Sequence, residues 1–169
     1  KNNEVFDDQD ELLDIMTKKA ISMLVWIRNM SFSNGDIPHF NDSTFGIAPT
    51  SEQLFDYAKR LNLNLNLNLS LTSSGYRKFK TNNYKCIVDI GQLGPDYIPG
   101  HAHADMLSFV LYYKELPLIV DTSVSTYEKN QTRQLERSTS SHNTVVVNNK
   151  NQSDVWGGFR VGKRACLTI

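Results

Sequence analysis

Three histidines and one aspartate are the residues of this chain whose types and spacing could do chemistry. His101 and His103 lie two residues apart in a Gly-His-Ala-His-Ala-Asp segment, Asp121 ends an apolar run, and His142 follows further along. Two imidazoles and one carboxylate, from His103, Asp121 and His142, suit zinc and leave a fourth position open for water or substrate. Because residues two apart share a face of an extended segment, His101 would stand beside such a metal without binding it.

The same residues also have a structural interpretation. A buried carboxylate is costly unless a partner compensates for its charge, so Asp121 needs such a partner in either case. A lone buried histidine is usually a core residue with satisfied hydrogen bonds, and His-x-His recurs by chance in many sequences. The residue types alone leave a metal or catalytic site and a structural polar cluster about equally open.

The composition is that of an ordinary globular protein, with 169 residues and 40% hydrophobic side chains. Eighteen basic and eighteen acidic side chains balance, so no charge excess points to nucleic acid as a partner. Two cysteines are too few for a disulfide framework or a cysteine metal site. The longest apolar stretch, 20–27, is too short to span a membrane. Since the chain starts at Lys1 rather than Met, a signal peptide could have been removed.

Apolar residues at helical spacing predict two helices in the first part of the chain. The first begins with a cap at Asp8 and ends near Met30, before a Ser-Phe-Ser-Asn-Gly turn. The second runs from Glu52 to about Leu61, after a cap at Thr50 or Ser51. Two helices joined by a long loop cannot bury their own apolar faces, so they indicate a fragment of a larger helical layer.

The remainder of the chain has the alternation typical of β-strands. Leucine alternates with asparagine over 61–71, which predicts a strand crossing from the helical part to a sheet. Further strands are predicted at 76–80, 84–90, 106–113, 116–121, 144–147 and 165–169. This arrangement would place His103, Asp121 and His142 at strand ends on one rim of a sheet.

Taken together, Gly100 to Phe109, the Val-Asp pair ending at Asp121, and the Ser-His-Asn-Thr-Val segment around His142 resemble the heparinase II/III-like polysaccharide lyases. The segments 94–99 and 155–161 resemble members from bacterial surface-polysaccharide gene clusters. The resemblance covers most of the chain. It implies an α+β multidomain fold, in which the end of an (α/α) toroid precedes an antiparallel β-sandwich, truncated at both ends. Residues 1–61 would be toroid helices, and 62–169 the first part of the sandwich.

The resemblance also implies roles for individual residues. His103, Asp121 and His142 would bind one zinc ion, and His101 would be a catalytic histidine. The family's catalytic tyrosine and its Asn or His would lie upstream of Lys1. The substrate would be an acidic, uronic-acid-containing polysaccharide, cleaved by β-elimination.

Three further residues are weaker candidates for substrate contacts. Arg133 and Arg137 have guanidinium groups that suit carboxylates, but salt bridges within the fold are the favoured alternative. His39 lies in the loop between the two helices, where an exposed histidine without a substrate role is favoured.

Two other functional classes remain open. One is a non-catalytic, zinc-containing carbohydrate-binding or scaffold β-domain in bacterial surface-polysaccharide metabolism. The other is a metal-dependent hydrolase or cupin-like oxidase in which the metal activates water. The sequence favours a bacterial envelope location, periplasmic or secreted, with a cytoplasmic one open, and it leaves the polymer, the linkage and the oligomeric state undetermined.

The 169-residue chain by itself is expected to be catalytically inactive and marginally folded. Its two helices would lack their toroid partners, and part of the catalytic set would be missing, which typically costs several orders of magnitude in rate. An ultraviolet assay for unsaturated uronate on acidic polysaccharides, with a thermal melt and a sizing column, tests this. Lyase turnover by a well-folded monomer of this chain would contradict the expectation.

Overall fold

The structure is a computed structural model that describes residues 9–68 and 70–168. Two helices, α1 (Gln9–Met30) and α2 (Ser51–Arg60), form its first part, as their apolar spacing predicted. The cap predicted at Asp8 lies outside the described residues. No helix within the described ranges is both long and apolar enough to cross a membrane.

The start of α2 is fixed by a capping box. The backbone N–H of Gln53 donates to the Thr50 hydroxyl, and the backbone N–H of Thr50 donates to the Gln53 side chain at 2.9 Å. Two N–H groups that the helix leaves unpaired are thereby satisfied. Thr50, one of the two predicted caps, is therefore the actual one.

Four antiparallel strands form the main sheet in chain order. They are β1 (Tyr76–Lys80), β2 (Tyr84–Asp89), β3 (Phe109–Tyr113) and β4 (Leu116–Ile119). The predicted hairpin turn at 81–83 joins β1 to β2. Lys114 and Glu115 join β3 to β4 with positive φ angles of 47° and 67°. Positive φ at both central residues is typical of the tight hairpin turns whose twist matches that of the strands.

The end of α1 and the loop after it pack against this sheet. Phe32 stacks on Tyr112 of β3 with 3.6 Å between ring centroids. The buried cluster consists of Met30, Phe32, Phe40, Leu71, Ile87, Val110 and Tyr112. The helical segment and the sheet thus share one core, which brings the loop at 37–43 close to the sheet.

The strand predicted from the Leu-Asn alternation at 61–71 was wrong. Among the described residues of this segment, none pairs with a neighbouring strand, and Leu61 and Leu67 are about half exposed. The backbone N–H of Asn66 donates instead to the Asn64 side chain at 3.0 Å. Asparagine side chains compete with ladder hydrogen bonds in this way, so period-two leucines do not make a strand without a partner edge.

Two later strand predictions were also wrong. At 144–147 only an isolated bridge joins Val147 to Lys150 around a two-residue Asn turn, and Val145 is 70% exposed. At 165–168 the backbone forms no strand, and the Ala165 N–H donates to the Ser153 hydroxyl at 2.9 Å. Residue 169 lies outside the described residues. Of the predicted hairpin strands 106–113 and 116–121, the first begins only at Phe109, because Leu107 turns with a φ of 64°, and the second ends at Ile119.

One short α-helix and two short strands of the described residues were not predicted. They are α3 (Gln131–Glu136), β5 (Asp154–Trp156) and β6 (Arg160–Gly162), with β5 and β6 forming a separate antiparallel pair. Asn130 caps α3 by accepting a hydrogen bond from the Arg133 N–H at 2.9 Å. Elements this short give no periodicity to read from a sequence.

Replacing Ile87 with alanine should lower the free energy of unfolding by about 2–5 kcal/mol. Ile87 has no exposed surface and lies in the core between α1 and the sheet, so its truncation leaves a cavity. Chemical denaturation measures the change. Ile98→Ala is the matched control, since Ile98 is 65% exposed and should change stability by less than about 0.5 kcal/mol. Equal effects of the two substitutions would contradict this placement of the core.

Candidate active site

The His-x-His segment lies in a loop before β3 and is held by contacts distant in sequence. The backbone N–H of His103 donates to the Asn41 side chain at 2.9 Å, and that of Ala104 donates to the Arg137 carbonyl at 3.0 Å. The Arg137 guanidinium donates twice to the Ala102 carbonyl, at 2.9 and 3.2 Å. Because buried backbone groups need partners, these bonds replace the ladder of a strand and fix the segment's path.

Gly100 allows this segment to approach the loop between β5 and β6. A Cβ atom at position 100 would lie 3.3 Å from the Phe159 carbonyl oxygen, so a larger residue would force the two apart. The His101 ring lies 5.9 Å from the Phe159 ring and 5.8 Å from the Tyr127 ring, measured between centroids. His101 therefore sits within a small group of partly exposed aromatic side chains.

The carboxylate of Asp42 joins both histidines of the segment. His101 Nδ1 lies 2.8 Å from Asp42 Oδ2, and His103 Nε2 lies 2.8 Å from Asp42 Oδ1. The guanidinium of Arg133 donates to both carboxylate oxygens, at 2.8 Å for Oδ2. The side chains of Asp42 and His103 are 5% and 0% exposed, whereas that of His101 is 67% exposed. One buried carboxylate thus contacts one accessible and one inaccessible imidazole.

This environment keeps Asp42 ionised. Burial alone would raise the pKa of Asp42, but hydrogen bonds from His103, Arg133 and His101 outweigh it and hold the pKa below its usual range. Arg133 has no exposed surface, and its Nε donates to the Gly158 carbonyl at 3.0 Å. The Arg133–Asp42 pair is therefore a buried, doubly hydrogen-bonded ion pair.

A second carboxylate–imidazole pair lies beside the first. His142 Nδ1 is 2.9 and 3.0 Å from the two Asp121 oxygens, and the His142 and His103 ring centroids are 5.3 Å apart. Burial alone would lower the pKa of His142, but Asp121 raises it overall, with smaller contributions from the charge of Asp105 and from the Glu136 backbone. Burial lowers the pKa of His103. The structure brings together the three residues that the sequence predicted as ligands, but of the three only Asp121 lies close to a strand end: His103 lies in the loop before β3, and His142 follows a turn rather than preceding a strand.

The unpaired nitrogens of these rings fit a metal ion. Among the described residues, none forms a hydrogen bond with His103 Nδ1 or His142 Nε2, and both atoms are buried. Each ring has its other nitrogen on a carboxylate, which is how ligand histidines are usually oriented. No group of three or more His, Cys, Asp or Glu side chains within residues 9–68 and 70–168 converges on a single point as around an ion. Zinc ligation stays a prediction: the two imidazole nitrogens suit the ion, but both Asp121 oxygens lie on the opposite nitrogen of the His142 ring.

Asp42 and Asp105 were missed by the sequence reasoning. Asp42 lies in the Phe-Asn-Asp-Ser stretch that took part in the resemblance, but no local pattern links it to residues 59 and 61 positions away. Asp105 is buried, and its side chain accepts from the Asn41 N–H at 3.3 Å. Burial raises the pKa of Asp105 to about 7, with Asp89 and Asp121 adding to the effect and His142 opposing it.

The three predicted substrate contacts have different surroundings. Both guanidinium groups are buried: Arg133 forms the salt bridge within the fold that the sequence favoured, whereas Arg137 donates to the Ala102 carbonyl and forms no salt bridge among the described residues. His39 is partly buried, and its ring meets that of Phe45 edge-on at 4.3 Å. Contact of any of the three with substrate stays a prediction.

Arg133→Met should lower the free energy of unfolding by about 3–5 kcal/mol, because it leaves the buried Asp42 carboxylate without its permanently charged partner. Arg164→Met is the control: Arg164 pairs with the fully exposed Asp96, and its loss should cost no more than about 1 kcal/mol. Denaturant unfolding of both variants and of Arg133→Met/Asp42→Asn measures the coupling. Additive effects at Arg133 and Asp42 would contradict the pairing.

Comparisons with known proteins show what this chain is similar to. The family profile described as heparinase II/III-like, C-terminal, matches residues 67–169. Among solved structures, a heparinase III with methylated lysines is similar, with a TM-score of 0.52 and 20% sequence identity. The alignment covers 86% of this chain and 26% of that one, so this chain corresponds to a part of the heparinase III. No curated protein sequence matches significantly. Because the family profile matches more than half of its residues, the chain belongs to the heparinase II/III-like family.

Proposed function

We propose that the full-length protein is a polysaccharide lyase that cleaves an acidic, uronic-acid-containing polysaccharide by β-elimination. The observation that carries the proposal is the accessible His101 ring, anchored through Nδ1 on the buried Asp42 carboxylate. Membership of the heparinase II/III-like family supports the reaction class. In this proposal residues 1–61 are the last helices of an (α/α) toroid, and 62–169 begin the β-sandwich.

The proposed reaction needs one proton removed and one supplied. A base takes the C5 proton of the uronate, a double bond forms between C4 and C5, and the C4–O glycosidic bond breaks. An acid then protonates the departing oxygen. His101 has Nδ1 on Asp42 and Nε2 on its accessible side, so it can exchange a proton with substrate without losing its anchor. The second proton-transfer group would be the family's tyrosine, from a segment preceding Lys1.

Neutralising the substrate carboxylate is the other requirement, since it stabilises the charge that develops when the C5 proton leaves. Arg133 and Arg137 donate to Asp42 and to backbone carbonyls, so in this arrangement they do not reach outward. The family's Asn or His from the helical domain would then take that task. The exposed parts of Tyr127 and Phe159 offer apolar faces against which a sugar ring can pack beside His101.

A zinc ion would be held by His103, Asp121 and His142. The buried nitrogens without partners support the two histidines of this donor set, whereas Asp121 has both oxygens on His142 Nδ1 and would have to leave that ring to reach an ion at His142 Nε2. When bound, zinc would supply positive charge that ties the three segments together beneath His101, rather than contact substrate. Asp121 already contacts the His142 ring, and Asp42 holds the His103 ring, so both imidazoles are oriented by the protein itself.

The deciding experiment compares His101→Ala with His103→Ala in the full-length protein. His101→Ala should lower lyase turnover by about 10²–10⁴-fold and keep the zinc content, because it removes a proton-transfer group only. His103→Ala should lose zinc, since it removes a ligand. Ultraviolet absorption of the unsaturated uronate measures turnover, and elemental analysis measures zinc.

The matched control is Asp96→Asn, which changes an exposed carboxylate five residues from His101 and should alter neither quantity. Zinc loss in His101→Ala would mean that the roles of the two histidines are exchanged. Cleavage without an unsaturated product would overturn the lyase and favour a metal-dependent hydrolase. Polysaccharide binding with no cleavage of any tested acidic polymer would favour the non-catalytic carbohydrate-binding domain.

A further inference from the structure

We infer that Asp42 is a positioning residue that imposes opposite tautomers on the two histidines of the His-x-His segment. His101 carries its proton on Nδ1, and His103 carries its proton on Nε2. The inference about tautomers rests on the contacts of Asp42 alone, and only its catalytic consequence rests on the proposed lyase function.

The acceptor capacity of Asp42 carries the argument. An ionised carboxylate has no proton to donate, so each ring nitrogen at 2.8 Å from it must be the donor. Arg133 donates to the same two oxygens and favours the ionised form. His103 Nε2 also lies 3.4 Å from Arg133 Nη1. If Nε2 carried a lone pair rather than a proton, it could accept a hydrogen bond from Arg133 instead of donating one to Asp42. Both His103 Nε2 and Arg133 Nη1 lie closer to Asp42 Oδ1 than to each other, so we interpret them as two donors that share this acceptor.

The tautomers leave the two lone pairs on opposite ring positions and in opposite environments. His101 Nε2 is left with a lone pair on a side chain that is 67% exposed, as a group that accepts a proton from substrate requires. His103 Nδ1 is left with a lone pair on a fully buried ring that neighbours His142. A metal-binding imidazole must be unprotonated at the ligating atom. The Asp42 carboxylate therefore leaves His101 able to accept a proton from substrate and His103 able to bind a metal ion.

The alternative is that Asp42 serves only as the partner of the buried Arg133, with no effect on the rings. Asp42→Asn separates the two roles, because asparagine keeps the shape and one acceptor oxygen but replaces the other with an NH₂ donor. That donor cannot accept from a ring N–H or from Arg133. At least one of the two rings then loses the acceptor that fixes its tautomer, so the inference requires that ring to change tautomer or to become a mixture of the two.

Long-range ¹⁵N–¹H NMR of the full-length protein, labelled with ¹⁵N at histidine, reads the tautomer of each ring directly. His101→Gln and His103→Gln assign the two signals. The wild type should show Nδ1–H for His101 and Nε2–H for His103, and Asp42→Asn should change at least one of them. Asp96→Asn should leave both unchanged, since Asp96 pairs only with Arg164 among the described side chains. The same tautomer on both wild-type rings, or unchanged tautomers in Asp42→Asn, would overturn the inference.

Turnover supplies a second readout that separates this inference from the lyase proposal. If both hold, Asp42→Asn should lower kcat by about 10²–10⁴-fold with KM little changed, because the proton-transfer group is misoriented while substrate contacts remain. The circular dichroism spectrum should stay that of the wild type. Opposite tautomers in a protein without lyase turnover would uphold the role of Asp42 and reject the function. Lyase turnover unaffected in Asp42→Asn would reject the catalytic role of Asp42 alone.

Discussion

The buried charge of Asp42 is the constraint on which the rest of the site depends. A carboxylate that is 5% exposed must be compensated, and it is compensated by Arg133 together with two imidazoles. These partners are 59, 61 and 91 positions away in the chain. The helical segment, the His-x-His loop and α3 must therefore assemble around a single carboxylate. Because a buried charge that loses its partner is costly, the geometry of the loop is coupled to the stability of the whole domain.

The short helix α3 and its cap provide two of the side chains that hold these segments together. Arg133 and Arg137 are four residues apart, so they extend from the same face of α3 and its C-terminal cap. Arg133 reaches the Asp42 carboxylate, and Arg137 reaches the backbone of the His-x-His loop at Ala102. A helix of six residues is not stable in isolation, so the contacts of Arg133 and Arg137 stabilise α3 as well as the segments that they contact. Because both arginines are buried, neither guanidinium is directed at solvent.

Local features of the fold could be read from the sequence, and long-range ones could not. The capping box at Thr50 and the hairpin turn at Lys114 depend on neighbouring residues, so their patterns predict them. The alternating Leu-Asn segment shows the limit, because a strand also needs a partner edge that no local pattern specifies. The His-x-His segment with Asp121 and His142 was identified as a site, and the three predicted ligands lie together. Asp42 was not, since an Asn-Asp pair in a loop is ordinary turn chemistry until a tertiary contact gives it a partner.

The site consists of two similar pairs in which a carboxylate holds one nitrogen of an imidazole and the other nitrogen stays unpaired. In one pair Asp42 holds His103, and in the other Asp121 holds His142. The pairs nevertheless differ electrostatically, because Asp42 shares its charge with Arg133 whereas the Asp121 carboxylate acts mainly on His142. The pKa of His103 is accordingly lowered by burial, while that of His142 is raised by its carboxylate. Two protonated rings with centroids 5.3 Å apart would repel, and this asymmetry avoids that state. In the proposed lyase, the two buried pairs would keep this charge balance while His101 exchanges a proton with substrate.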